Sequence, residues 1–242
     1  MRAASFICHM IIDIVIPAFN EEQSIGLVVK DACALPVRHV VVANNGSSDN
    51  TGAVASAAGA EVVFEPRKGY GFACLAALHW ISKRTPQPDV VVFMDGDRSD
   101  DLANFSEVVA PILQGDFDLV IGSRELGQRQ KGSMTIPQRF GNKLATSMIR
   151  WIYGHRFTDL GPFRAIRYTS LLALHMEDKT YGWTVEMQVK ALRQKMRCTE
   201  VPVNYHQRIG KSKVSGTVKG TILAGYKIIT TIVRYAFFTN NH

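Results

Sequence analysis

In the first half of the chain, short continuous apolar runs alternate with longer segments whose apolar residues recur at helical spacing. The runs occupy residues 11–17, 39–43, 61–64, 89–94 and 118–121 and are rich in Val and Ile. Between them, residues 21–34, 51–58, 70–84 and 104–114 read as helices. Strands that are apolar throughout are buried on both faces. Alternating with helices, they predict an α/β fold with a mostly parallel central sheet covered on both sides. Such sheets bind ligands beyond the carboxyl ends of their strands. Here those ends are followed by polar and glycine-rich segments, which places a candidate site along one edge of the sheet.

The fourth run ends in Asp95-Gly96-Asp97. Residues two apart on an extended segment project to the same side, so both carboxylates can share a hard divalent cation, Mg²⁺ or Mn²⁺, with phosphate oxygens. The alternative is a turn leading into a helix capped by Asp100 or Asp101. Asn44 to Thr51, after the second run, is dense in turn formers. Gly69 and Gly71, after the third, suit either ligand approach or a helix start. A dinucleotide fingerprint is excluded there, because Cys74 stands where the third glycine belongs.

Taken in order, Val15-Ile16-Pro17-Ala18-Phe19-Asn20-Glu21-Glu22, Asn45-Gly46-Ser47-Ser48-Asp49-Asn50-Thr51, Lys68-Gly69-Tyr70-Gly71 and Asp95-Gly96-Asp97 resemble family 2 glycosyltransferases of the GT-A, Rossmann-like fold. The resemblance covers roughly residues 11–215. Gly122-Ser123-Arg124, Arg139 with Asn142 and Lys143, Asp159-Leu160-Gly161-Pro162-Phe163-Arg164 and Arg208-Ile209-Gly210-Lys211-Ser212-Lys213 look most like the dolichyl- and polyprenyl-phosphate sugar synthases. The resemblance implies a metal-dependent inverting transfer of a hexose from a UDP- or GDP-sugar to polyprenyl phosphate. It puts Pro17, Ala18, Asn20 and Glu22 around the nucleotide and Asn44 and Asn45 at the base. Lys68, Gly69 and Gly96 join the donor pocket, and Asp95 and Asp97 hold the metal. Arg208, Lys211 and Lys213 reach the diphosphate. Ser99 stands where relatives often carry Gln, and Asn44 and Asn45 replace a usual acid.

The acceptor decides what else is needed. A phosphate monoester is already ionised at neutral pH and needs cations to position it, for which Arg124, Arg139, Lys143 and Arg164 are candidates. A soluble or glycan hydroxyl needs a general base, for which Asp159 and Glu186 are candidates. Against these roles stand an Asx-turn or a salt bridge to Arg164 for Asp159, and helix-dipole stabilisation for Glu186. Trp183 is either a sugar-stacking ring or a core aromatic. A protein of another class, a non-catalytic nucleotide-sugar binder, would use the same donor pocket without turnover.

Charge changes the picture only at the end of the chain. Residues 1–189 hold 18 basic and 20 acidic residues, a net −2, whereas residues 190–242 hold 10 basic residues and one acid, a net +9. The expected division is a catalytic domain over 1–215 and a basic amphipathic helix over 216–242. On a helical wheel Lys219, Lys227, Thr230 and Arg234 lie opposite Val218, Ile222, Ile229, Ile232, Val233 and Ala236. That pattern suits an anionic membrane surface, packing on the protein's own core, or a homodimer contact. Nucleic acid is the least supported partner, since no recognition motif accompanies the charge. Cys8, Cys33, Cys74 and Cys198 form no CxxC pair, and no signal peptide or 18-residue apolar stretch is seen. The expectation is a cytoplasmic protein, peripheral on the inner face of the membrane.

Overall fold

The computed structural model describes residues 10–210 and 218–237. The five apolar runs form β1 (Ile12–Ala18), β2 (His39–Asn44), β3 (Glu61–Phe64), β4 (Val90–Phe93) and β5 (Leu119–Ser123). The segments between them form α1 (Ile25–Cys33), α2 (Thr51–Ala57), α3 (Tyr70–Ser82) and α4 (Phe105–Leu113). After β5 come α5 (Ile136–Tyr153), β6 (Arg164–Arg167), α6 (Tyr168–Ala173), α7 (Trp183–Arg193), β7 (Cys198–Pro202) and α8 (Val218–Phe237). The strands make one seven-stranded sheet in the order β3-β2-β1-β4-β6-β5-β7. All pairings are parallel except those of β6, which runs antiparallel to β4 and to β5. The expected mostly parallel α/β sheet is therefore the observed one.

Alternate strand residues feed two separate cores, as a pleated sheet requires. Ile14, Ile16 and Val42 pack with Val28 of α1 and with Phe105 and Val109 of α4 on one face. Val15, Val41 and Phe93 pack with Ala77 of α3, Ile149 of α5 and Met187 of α7 on the other. Each fully buried Val, Ile or Phe of these layers contributes about 1.5–3 kcal/mol, so the sheet is a rigid base for the loops at its edge. Helix α5 starts at a capping box: Thr135 Oγ1 accepts from the Gln138 N–H, and Gln138 Oε1 accepts from the Thr135 N–H at 2.7 Å. It ends at Gly154 in the left-handed conformation, φ 71°. Helix α8 packs against α5 and α7, with Ile232 and Tyr235 in the core. Among the described residues no helix is long and apolar enough to cross a membrane.

Candidate active site

The carboxyl end of β4, next to β1 at the middle of the sheet, delivers Asp95 and Asp97. Both border two adjoining cavities, of about 310 and 330 Å³. Asp97 is almost fully buried; its Oδ1 accepts from the Ser99 N–H at 2.9 Å and also from the Ser99 hydroxyl. The Tyr70 hydroxyl donates to Asp95 Oδ1 at 3.3 Å, and the Asp95 N–H donates to Asp100 Oδ2 at 2.9 Å. Burial, and then the neighbouring Asp97 charge, push the Asp95 carboxyl up to about 7. Two carboxylates crowded together with their ionisation penalised are a donor set that a divalent cation fits, since it would supply the missing positive charge.

Residues 205–209 run along the loop that follows β4. The His206 N–H donates to the Ser99 carbonyl and the Ile209 N–H to the Asp97 carbonyl, both at 2.9 Å. That pairing carries Arg208 over the acidic edge, where its guanidinium lies 3.1 Å from Asp97 Oδ2 and 2.8 Å from Glu21 Oε1. Arg208 lines both cavities. Lys211 and Lys213, expected beside it, lie outside the described residues.

The smaller cavity is the donor-side candidate. Pro17, Ala18, Asn45, Lys68, Gly69 and Gly96 line it, as the sequence led us to expect. Lys68 extends its ammonium over the Phe19 ring, 4.9 Å from the centroid. Asn20, Glu22 and Asn44 do not line it. Asn20 has a positive φ of 54°, and its Oδ1 accepts from the Ser48 N–H at 2.8 Å. Glu22 accepts from the Asn50 N–H, and Asn44 accepts from the Ser47 N–H. Asn20 and Glu22 stitch the loops after β1 and β2 together, and Asn44 closes the loop after β2 on itself. The chain reversal at Asn20 sends Glu21 into the cavity and Glu22 to the surface. Asn45 braces the next loop, since its Oδ1 accepts from the Gly69 N–H at 2.7 Å and its Nδ2 donates to the Arg67 carbonyl.

Gly69 and Gly71 are required by close backbone packing. A Cβ on Gly71 would sit 1.9 Å from the Asp178 carbonyl oxygen, and one on Gly69 would sit 2.2 Å from that of Lys179. The segment they admit brings Thr180 and Tyr181 into the donor-side cavity. The expected helix start is present, since α3 begins at Tyr70 directly after Gly69, and Gly69 also lines the donor-side cavity; the close packing against 178–179 is a further role that the sequence did not reveal.

The second cavity is walled by apolar groups, including Met134, Pro137, Leu160, Trp183 and Ile228, with Arg124 and Tyr205 at its acidic end. Asp159 is fully buried and grips Arg124 in a fork: Nε donates to Oδ2 and Nη2 to Oδ1, each at 2.7 Å, while the Arg124 N–H donates to Oδ2 at 2.8 Å. The fork fixes the guanidinium plane, 5.0 Å from the Tyr205 ring centroid. Asp159 is thereby committed to positioning Arg124, and its expected alternative salt bridge to Arg164 is not formed.

Three further expectations are redirected. Glu186 is fully buried and absent from the lining of both cavities. It accepts from the Glu177 and Asp178 N–H groups at 2.9 and 2.7 Å, accepts from the Tyr235 hydroxyl at 2.8 Å, and lies 2.8 Å from Lys190 Nζ. It anchors the loop at 177–181 and the tail helix, an arrangement unlike that of a general base. Arg164, also fully buried, donates to the Leu160, Gly161 and Thr184 carbonyls rather than to a cavity. Arg139 and Lys143 are exposed on α5, outside the cavity lining, while Asn142 faces inward and accepts from the Leu160 N–H. Trp183 is buried, tilted against Phe93 at 6.0 Å, and forms part of the second cavity's wall.

Tyr70, Tyr181, Tyr205 and Glu21 were not singled out from sequence, although they line the cavities. Tyr70 and Glu21 were within reach of that reading, each adjoining a motif at a strand end. Tyr181 and Tyr205 belong to segments that reach the site through backbone contacts distant in sequence, of Gly71 with Thr180 and of Ser99 with His206.

Comparison with known proteins gives this geometry its class. The Glycosyl transferase family 2 profile matches residues 13–174. An uncharacterized glycosyltransferase of Mycobacterium tuberculosis is 35% identical over 217 residues, covering 88% of this chain and 94% of that protein. The undecaprenyl-phosphate mannosyltransferase of Micrococcus luteus is 30% identical over 218 residues, covering 85% and 88%. The fold also matches the crystal structure of glucosyl-3-phosphoglycerate synthase from Mycobacterium tuberculosis in complex with Mn²⁺, UDP and phosphoglyceric acid. The TM-score is 0.78 at 20% identity, over 99% of this chain and 83% of that one. The chain belongs to glycosyl transferase family 2, has the GT-A fold and is a glycosyltransferase.

Proposed function

We propose that the protein is a metal-dependent inverting glycosyltransferase that moves a hexose from a UDP- or GDP-sugar to polyprenyl phosphate. One observation carries the reading. The acidic pair borders both a cavity that holds the charged and polar side chains Glu21, Asn45 and Lys68 and a more apolar cavity that holds a fixed, forked arginine. A sugar nucleotide suits the first and a phosphate on a hydrocarbon chain suits the second. The solved neighbour that holds Mn²⁺ and UDP, and the relative named as an undecaprenyl-phosphate mannosyltransferase, support the same assignment.

In this reading Asp95 and Asp97 hold Mg²⁺ or Mn²⁺, which supplies Lewis-acid stabilisation of the departing diphosphate. Arg208 and Lys68 add positive charge on the donor side. Arg124, oriented by Asp159, binds the acceptor phosphate through its remaining N–H groups. A phosphate oxygen then attacks the anomeric carbon as the bond to the diphosphate breaks, and the nucleoside diphosphate leaves with the electron pair. The nucleophile is already an anion, so no base is needed. The buried commitments of Asp159 and Glu186 argue against a hydroxyl acceptor served by either of them. The assigning experiment incubates the protein with labelled UDP- and GDP-hexoses, Mn²⁺, and either polyprenyl phosphate or water-soluble acceptors, followed by organic extraction. Label in the organic phase supports the reading. Label only in water-soluble product refutes the lipid acceptor, and tight donor binding without transfer to any acceptor points to a binding protein.

A further inference from the structure

Of the three settings expected for the tail helix, a membrane surface, the protein's own core or a homodimer contact, α8 shows the second, with Ile232 and Tyr235 packed into the core. Lys227 Nζ lies 2.8 Å from Asp178 Oδ2, and Arg234 is 3.6 Å from Glu177 Oε2, so these cations face the protein's own acidic loop. Besides Arg234, α8 exposes apolar side chains: Ile222, Tyr226 and Phe237 are 64%, 68% and 71% accessible. Helix α5 does the same with Ile136, Phe140, Leu144 and Trp151, the last 91% accessible. Their spacing of four, four and seven residues places them on one stripe of the helix. Beside it run Arg139, Lys143 and Arg150, all exposed and none ion-paired among the described residues.

Neither helix contains an acidic residue. Both supply walls to the apolar cavity, through Pro137, Gly141, Gly225 and Ile228. Contiguous exposed apolar side chains rimmed by unpaired cations are the chemistry of a helix lying in an anionic lipid interface. A second copy is a poorer occupant, because a two-fold contact would bring the same acid-free cationic stripe against itself.

We propose that the outer stripes of α5 and α8 form a docking surface for an anionic bilayer, with the apolar side chains inserted and Arg139, Lys143 and Arg150 on lipid phosphates. The surface sets the mouth of the apolar cavity against the lipid. This goes beyond the transfer reaction, and its test needs no turnover. The full chain is mixed with vesicles of phosphatidylcholine alone or with phosphatidylglycerol, and both co-sedimentation and tryptophan emission are followed. Emission shifts to the blue with phosphatidylglycerol vesicles in the wild type but not in Trp151→Phe, which assigns the shift to that side chain. Phe140→Ser/Trp151→Ser, at two exposed positions, binds at least about tenfold more weakly with an unchanged circular dichroism spectrum. Arg139→Gln/Lys143→Gln/Arg150→Gln loses the preference for phosphatidylglycerol. The proposal is overturned if Trp151 emission does not move, if the double variant binds as the wild type does, or if sedimentation velocity shows a lipid-free dimer that the double variant dissolves.

Discussion

Asp159 holds Arg124 by two parallel hydrogen bonds of 2.7 Å, with the carboxylate fully buried and the guanidinium side chain only slightly exposed. Removing one partner of a buried fork leaves the other charged and uncompensated, at a cost of about 3–5 kcal/mol. Asp159→Ala should therefore lower stability by about that amount and also release Arg124 from the orientation that the acceptor phosphate needs. Arg124→Ala/Asp159→Ala should recover part of the stability but none of the activity. Denaturant unfolding and single-turnover transfer, combined in a double-mutant cycle, check both halves. Equal stability of the single and double variants would count against the coupling.

Glu186→Gln separates anchoring from catalysis. The amide cannot match the carboxylate's contacts with the Glu177 and Asp178 N–H groups, Lys190 and Tyr235. The melting temperature should fall. At a temperature where the variant is folded, kcat should drop far less than the roughly 100-fold or greater loss expected on removing a general base. An unchanged melting temperature with a 100-fold slower reaction would restore Glu186 as the base.

The acidic pair makes cation binding pH-dependent. The folded-state value for Asp95 is about 7, raised by burial and by Asp97, so the proton is held below that pH and must leave when a cation binds. Mn²⁺ affinity measured by calorimetry should rise as pH increases toward about 7 and level off above it. The sign for stability is opposite: without a cation, ionising Asp95 costs the folded state more than the unfolded chain, so stability falls as pH rises toward 7. Asp97→Asn removes the second-largest cause of the shift and should move the midpoint down. A flat affinity across this range would show that Asp95 is not a ligand.

Gly71→Ala tests the packing that carries Tyr181 to the donor. Its Cβ has no room beside the Asp178 carbonyl, so the loop at 177–181 must move. Overpacking of this kind costs about 1–3 kcal/mol. The nucleotide-sugar Kd should rise with it, since Thr180 and Tyr181 line that cavity. A variant with native donor affinity would show that the loop plays no part in binding.

The strands β1 to β5 were legible because each is a Val- and Ile-rich run, and so were the loops that follow them; β1, β2, β4 and β5 are buried on both faces as expected, whereas β3, at the edge of the sheet, is half-buried, with Phe64 exposed. β6 was not legible. It has only Ala165 and Ile166 between two arginines, and Arg164 is buried because its guanidinium finds three carbonyls that no local pattern reveals. Reading Arg164 as an anion-binding residue follows from its chemistry alone; the fold redirects it. The same holds for Glu186, whose hydrogen-bond partners other than Lys190 lie eight to 49 positions away. In the loops, residue type pointed to the right segment, but the reversal at Asn20 decided that Glu21, and not Glu22, enters the cavity. The basic tail was legible as an amphipathic helix, yet the acids that claim Lys227 and Arg234 lie some 50 residues earlier.

The central claim is that the apolar cavity receives the acceptor. Gly141 and Gly225 face it from opposite helices, and a Cβ on either meets nothing within 4 Å. Gly141→Phe and Gly225→Phe should therefore fill the cavity without disturbing the fold or the donor side. The deciding measurement is transfer of labelled hexose to polyprenyl phosphate in these two variants and the wild type, with nucleotide-sugar affinity determined in parallel. The account predicts label in the wild-type lipid extract, its loss in both variants, and unchanged donor affinity. Undiminished transfer by the filled variants would contradict it.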